Sequence, residues 1–272
     1  MVNLFRIFSG RSKQKQSVDL RGLTSDPIEA AGMAAGRRFL IEVPITKVRL
    51  LNFWGGDPNN PWVLTLREYA AGRCSHFKGS PMDDFYQKWQ PYTSGYVGDP
   101  MSPWKTFTRS NPRNSASGRL RRKEFRAIAN ELAVSADEVH GHIKGGPVTD
   151  AFGQITFLRL TGLYDSIQRS GFRPEASAAR FPSATCFVRG HDDFRVSIGS
   201  GKHRVTVMLA LGWQNIPVEF GPPKLPVITR RDEVDTWPNV RAGYFTREEA
   251  LLVFDEMFRL THPSGWSPCE AS

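Results

Sequence analysis

The chain has 272 residues, 40% of them hydrophobic, enough for one large domain or two small ones. Lys and Arg number 36 against 27 Asp and Glu, a formal charge of +9, which suits an anionic partner such as nucleic acid, nucleotide, phosphorylated glycan or membrane surface; the alternative is an excess spread over solvated tails. The three cysteines, Cys74, Cys186 and Cys269, are scattered with no C-x-x-C pair, which argues against a disulfide scaffold or a structural zinc and for a reducing compartment.

In chain order, Met1 to Phe8 is too short for the apolar core of a signal peptide, and Ser9 to Lys15 breaks it at once; an amphipathic, membrane-touching N-terminus stays open. No apolar run approaches the roughly 20 residues that span a bilayer, so a cytoplasmic protein without a transmembrane segment is expected. Residues 1–37 read as a flexible basic tail with at most a short helix around Pro27 to Ala35. Arg38 to Leu50 is rich in β-branched residues and reads as a strand, with Pro44 at an edge or bend.

Between Trp54 and Trp104 aromatic residues are threaded among Gly, Pro and Asn. A helix is expected from Pro61 to its stop at Gly72, and a shorter helical turn over Phe85 to Pro91. These aromatics read as packing, or as a surface that stacks bases or sugars. Thr108 to Arg122 is a charged linker whose Arg119 to Arg122 could grip phosphates, and Lys123 to His140 reads as helix. Ala129 to Val139 carries a faint helix-turn-helix pattern with Ala133 at the turn, but Asp137 and Glu138 would face phosphates badly. His140 and His142 could begin a metal site, yet no carboxylate or cysteine stands at a matching spacing.

Leu160, Leu163, Tyr164 and Ile167 share one helix face, with Gly171 where a C-terminal glycine belongs. Phe194 to Ile198 alternates as a half-buried strand, Arg204 to Leu211 is a buried helix closed by Gly212, and Asn215 to Phe220 is the next strand, giving a β-α-β unit. The C-terminal helix opens at Thr246 with a capping box to Glu249, carries the stripe Ala250, Val253, Phe254, Met257 and Phe258, and ends at Pro263.

The segment Ser197-Ile-Gly-Ser-Gly-Lys-His-Arg204 joins that strand to that buried helix. Gly199 and Gly201 allow a tight turn and a close ligand approach; the helix N-terminus then offers amides and a positive dipole end, to which Lys202, His203 and Arg204 add charge and donors. Gly199, Ser200, Gly201, Lys202, His203 and Arg204 are therefore the candidate phosphate- or nucleotide-binding residues; the alternative is a βα turn that happens to be basic.

The run Leu160-x-x-Leu163-x-x-Ser166-Ile167, Gly171-Phe172, Gly201-x-x-Arg204, Leu211-Gly212 and Ile216-Pro217-Val218 resembles the ParB/sulfiredoxin superfamily over about a quarter of the chain. That superfamily includes CTP-dependent DNA-segregation proteins, free-serine kinases and sulfiredoxins, and its Gly-x-x-Arg turn grips nucleotide phosphates. Gly146 to Thr149 and Trp237 to Gly243 further resemble ParB-like-domain proteins encoded with bacterial surface-polysaccharide genes. Lys202 stands where sulfiredoxins need a cysteine, which excludes peroxiredoxin repair. Ser200 replaces the Asp of the serine kinases, and the preceding helix offers Thr156 or Thr161 rather than a Glu. A general base would have to be Asp165, Glu175, Asp192 or Asp193.

The resemblance implies an α/β (α+β) fold: a ParB/sulfiredoxin-like core over 123–228, a Trp/Pro-rich part and linker over 38–122, and a C-terminal helical extension over 229–272. It implies a nucleotide-dependent phosphotransferase acting on a small molecule or glycan precursor, using Mg²⁺ with a nucleoside triphosphate (ATP or CTP). His203, Asp165 and Asp193 are then the candidate catalytic residues. The competing expectation is a CTP- or DNA-binding regulator without phosphotransfer; the charge favours it, and the roughly 50 residues after Phe220, with one clear helix, leave little room for a DNA-binding module. A third is a degenerate fold kept for protein contacts.

Overall fold

The structure is a computed structural model that describes residues 17–50, 59–90, 123–135, 138–141, 145–174, 181–190, 192–221, 228–243 and 245–259. Its strands are β1 (Val18–Asp19), β2 (Phe39–Pro44), β3 (Val48–Arg49), β4 (Ser183–Val188), β5 (Phe194–Ser200), β6 (Asn215–Phe220) and β7 (Ile228–Arg230). Its helices are α1 (Pro27–Ala34), α2 (Pro61–Ala70), α3 (Pro81–Lys88), α4 (Lys123–Glu131), α5 (Asp150–Ser170), α6 (Lys202–Ala210), α7 (Pro238–Arg241) and α8 (Arg247–Glu256). The fold is of the α/β (α+β) class, a mixed sheet of order β1-β2-β6-β4-β5-β3 with helices packed on it. One edge of β4 is shared: Ser183 and Ala184 pair with β6, and Cys186 to Val188 pair with β7.

The sheet curls, and the connection from β2 to β3 is the reason. In a flat sheet these strands would stand four steps apart, about 19 Å at ~4.8 Å per step. Only the 3₁₀ turn Ile45–Lys47 joins them, and such a turn advances about 2 Å per residue. The ends must therefore approach, enclosing Ile41, Val43, Val48, Cys186, Val196, Ile216 and Val218, all 0% exposed. Helix α1 adds Ala30 and Ala34 to this core, and α6 adds Val205 and Met208.

A second core lies around α5. Thr149 caps it by accepting from the Phe152 amide, and its buried face carries Phe152, Ile155, Phe157, Leu160, Tyr164 and Ile167. Against it pack Trp62 and Leu66 of α2, Met82, Phe85 and Tyr86 of α3, and Phe77 between them. Trp62, Phe77, Phe85 and Tyr86 are thus packing residues, each burying apolar area worth about 1.5–3 kcal/mol. A third cluster lies under α8, where Phe254 meets Phe187 of β4 and Trp237.

Several expectations hold. Pro61 opens α2 with Asn60 as its cap, Gly72 follows it at φ 71°, β6 has its expected bounds, and Thr246 and Glu249 form the capping box of α8. Others are corrected. Arg38 to Leu50 is two strands, because Pro44 lacks an amide to extend the β2 ladder. The segment expected as tail also holds a strand, Val18 and Asp19 pairing with Phe39 and Leu40, while the short helix expected around Pro27 to Ala35 is present as α1. Helix α4 stops at Glu131, not His140, with Ala133 left-handed at φ 51°. The unit β5-α6-β6 is not a parallel crossover, since β4 lies between its strands, antiparallel to β5 and parallel to β6. The linker, Glu175, His142 and Pro263 lie outside the described residues.

Candidate functional site

The turn between β5 and α6 is shaped by one glycine rather than two. Gly201 is the N-cap of α6 at φ 79° and ψ 17°, the left-handed region that penalises a Cβ. A Cβ there would stand 2.8 Å from Arg204 Nη2 and 3.0 Å from Pro182 Cα. Gly199 has no left-handed φ, and a Cβ on it would meet Ser183 Oγ at 3.4 Å, an ordinary contact. Its role is a register shift: opposite Ser183 and Ala184 the β4–β5 pairing skips Gly199, so Ser183 pairs with Ser200. That brings Ser200 to the side of Ser183, whose Oγ accepts from the Ser200 amide at 3.1 Å and lies 2.8 Å from Ser200 Oγ.

Around this turn the side chains form a cationic, aromatic rim. The Arg204 guanidinium folds back over Gly201 and lies 6.0 Å from the centre of the Phe172 ring. Phe172 packs edge-on against Phe181 at 5.9 Å, and Arg21 lies over Phe181 at 5.3 Å. Arg21 also grips Asp19 through Nε and Nη2, and this hydrogen bonding holds the Asp19 carboxyl below its usual range. Lys202 is half-buried at the first helical position.

The acid–base candidates are not gathered there. His203 is buried, and its Nδ1 lies 2.8 Å from Arg159 Nη1 on α5. A guanidinium only donates, so Nδ1 is the accepting atom of this contact. It thus faces α5, not the mouth of the turn. Asp165 accepts from the Tyr69 hydroxyl of α2 at 2.8 Å, and lies about 120° around α5 from Arg159 at ~100° per residue. Asp193 precedes β5 while the turn follows it, so the two are separated by the strand's length, roughly 20 Å. There Asp193 accepts from Arg189 and Arg195, which holds its carboxyl below the usual range although burial opposes this. The turn and Asp193 thus stand at opposite ends of β5. Asp192 stands in the same far hairpin. Thr156 and Thr161 donate to the carbonyls of Phe152 and Phe157 one helical turn back.

Sequence reasoning missed Ser183 and Glu219. Glu219 is the strand partner of Ser183, accepts from Ser17 Oγ, and pairs with Arg38 at 3.5 Å. It is the described carboxylate that strand pairing sets beside the serine pair. Only the pairing of β4 with β6 could have revealed it, and local pattern does not encode that.

Among the described residues thiol chemistry finds no support. Burial pushes the Cys186 thiol up to about 12, and burial also raises that of Cys74. Among the described residues no group of three His, Cys, Asp or Glu side chains is placed to hold a metal ion, and no helix is long and apolar enough to cross a membrane. No family model, curated protein or solved structure matches the chain.

Proposed function

We propose that the β5–α6 turn binds the phosphate of a nucleotide or of another phosphorylated small molecule, as in the ParB/sulfiredoxin superfamily that its motifs resemble. The observation that carries this reading is Gly201: a left-handed N-cap, with no side chain to cap α6, over which Arg204 is folded. A phosphate entering there meets helix amides, the dipole's positive end, Lys202, Arg204 and the Ser183–Ser200 hydroxyls. Arg204 is the bidentate-capable donor and Lys202 the mobile charge.

Binding is better supported than phosphotransfer, because His203, Asp165 and Asp193 each have other partners away from the turn. Phosphotransfer as a second reading rests on Glu219, which would replace them as the base that orients an acceptor hydroxyl, with Mg²⁺ neutralising the phosphates. A CTP- or DNA-binding role without chemistry is the remaining alternative.

Thermal-shift measurements with ATP, ADP, CTP and GTP plus Mg²⁺ test the reading on the wild type and Arg204→Ala. At 100 times its dissociation constant a ligand adds about 2.7 kcal/mol of stability. One nucleotide should stabilise the wild type and lose its effect in Arg204→Ala. No response to any nucleotide would sink the nucleotide reading, and an equal response in the variant would sink the assignment to the turn. A Glu219→Gln variant that binds but no longer turns over ATP would favour phosphotransfer.

A further inference from the structure

At the far end of β5 two guanidinium groups lie side by side. Arg49 of β3 pairs with Ser197 of β5, two residues from Arg195, so Arg49 and Arg195 are diagonal neighbours on one face of the sheet. Arg49 is 1% exposed, yet its bonds go to neutral acceptors: the carbonyls of Met257 at 2.7 Å, Val48 at 2.9 Å and Thr46 at 3.1 Å. Arg195 has a side chain 16% exposed and gives Nη1 to Asp193 and to the Phe194 carbonyl. Its Nε is buried and has no hydrogen-bond partner. Arg189, 44% exposed at the rim, shares the same Asp193. Both Arg189 and Arg195 lie on the Phe258 ring, 4.5 and 4.9 Å from its centre.

Arg189 and Arg195 therefore share the Asp193 carboxylate, Arg49 adds a third positive charge beside Arg195 in the buried layer beneath α8, and Arg189 also feels the Asp255 carboxylate of α8. Buried charge of one sign is costly unless it is paired, and adjacent like charges on a sheet repel. The strain registers on Arg49, which burial and then Arg195 push down to about 10 while Asp193 opposes them. Two more buried polar atoms without a hydrogen-bond partner belong to the same layer. One is Oγ1 of Thr229, in the cross-strand row Arg195–Phe187–Thr229; the other is Nε1 of Trp237, whose ring packs on Phe254.

We propose that this end of the β4–β5 hairpin binds a phosphate-type oxyanion between Arg189 and Arg195, with Arg49 adding its charge from below. A guanidinium fork suits the paired oxygens of phosphate, and stacking on Phe258 fixes the two groups that would receive it. Nε of Arg195 supplies an unused donor, and the exposed Arg189 supplies the entrance. The site is separate from the turn, with the length of β5 between them. Its ligand is either the free ion or the phosphoryl group of a larger molecule.

Calorimetric titration and thermal shift of the full chain test this, with inorganic phosphate and glycerol phosphate as probes against sodium chloride of equal ionic strength. Phosphate should bind and raise Tm in the wild type and equally in Arg204→Ala. Binding should be about tenfold weaker or worse in Arg189→Gln and lost in Arg195→Met, which keeps the apolar contact with Phe258. Tighter binding of the ester assigns the site to a larger ligand, and tighter binding of inorganic phosphate assigns it to the free ion. No response beyond that to chloride overturns the proposal. So does a response that Arg204→Ala abolishes and Arg189→Gln keeps, since that places the ion at the turn. If Arg195→Met fails to fold, the rim variant Arg189→Gln decides alone. Failure of nucleotide binding leaves this result untouched.

Discussion

At the scale of single residues, the two glycines of the turn are not equivalent. Gly201→Ala forces a Cβ into the left-handed region and against Pro182, and should cost about 1–2 kcal/mol as well as weakening nucleotide binding. Gly199→Ala finds ordinary contacts at 3.4 Å and should fold with nearly unchanged stability. Urea denaturation of both variants checks the contrast; equal losses would refute it. Cys186 supplies a second residue-scale prediction. With its thiol raised to about 12, only about one molecule in 10⁴ carries the thiolate at pH 8. Iodoacetamide should leave Cys186 unmodified in the folded protein and label it after denaturation, as read by peptide mass spectrometry.

At the scale of elements, α8 is the informative case, since its cap and its ion pair act separately. Thr246 accepts from the Glu249 amide while the Glu249 carboxylate accepts from the Thr246 amide, so Thr246→Ala should cost about 1 kcal/mol in a chemical denaturation curve. Later in the helix, Asp255 receives two hydrogen bonds from Arg231, which hold its carboxyl below the ordinary 3.8. A carboxylate depressed by folding stabilises above its unfolded value and loses that contribution as pH falls below it. Stability of the wild type should therefore decline below about pH 4, and Asp255→Asn should be less stable at pH 7 while declining less steeply in acid. Parallel pH curves for the two proteins would contradict the assignment.

At the scale of the whole molecule, the curled sheet makes distant parts of the chain depend on one another. β2 pairs with β6 along its entire length, and Ile41 sits opposite Val218 in the common core. Ile41→Ala should cost about 2–5 kcal/mol and lower the midpoint of a single transition seen identically by circular dichroism and fluorescence. Two separated transitions would instead mean that the N-terminal strands fold apart from the rest.

How much of this was legible follows from what is local. Helix α2 was readable from Pro61 and Gly72, α8 from Thr246 and Glu249, and the turn into α6 from Gly201, because caps and turns act within a few residues. Strand β4 was not readable as the sheet's pivot. Cys186, Phe187 and Val188 are buried consecutively, covered on both faces, so the alternation that marks a half-buried strand is lost. Strand order was beyond reach too, since a period of two names a strand's inner face but not its neighbour. The sequence by itself determined α2, α8, β6, the positive charge and the turn Gly201 to Arg204. Only the tertiary structure placed Asp193 at the far end of β5, set Glu219 beside Ser183 and buried Arg49 against Arg195, because these relations arise from pairing between strands remote in the chain.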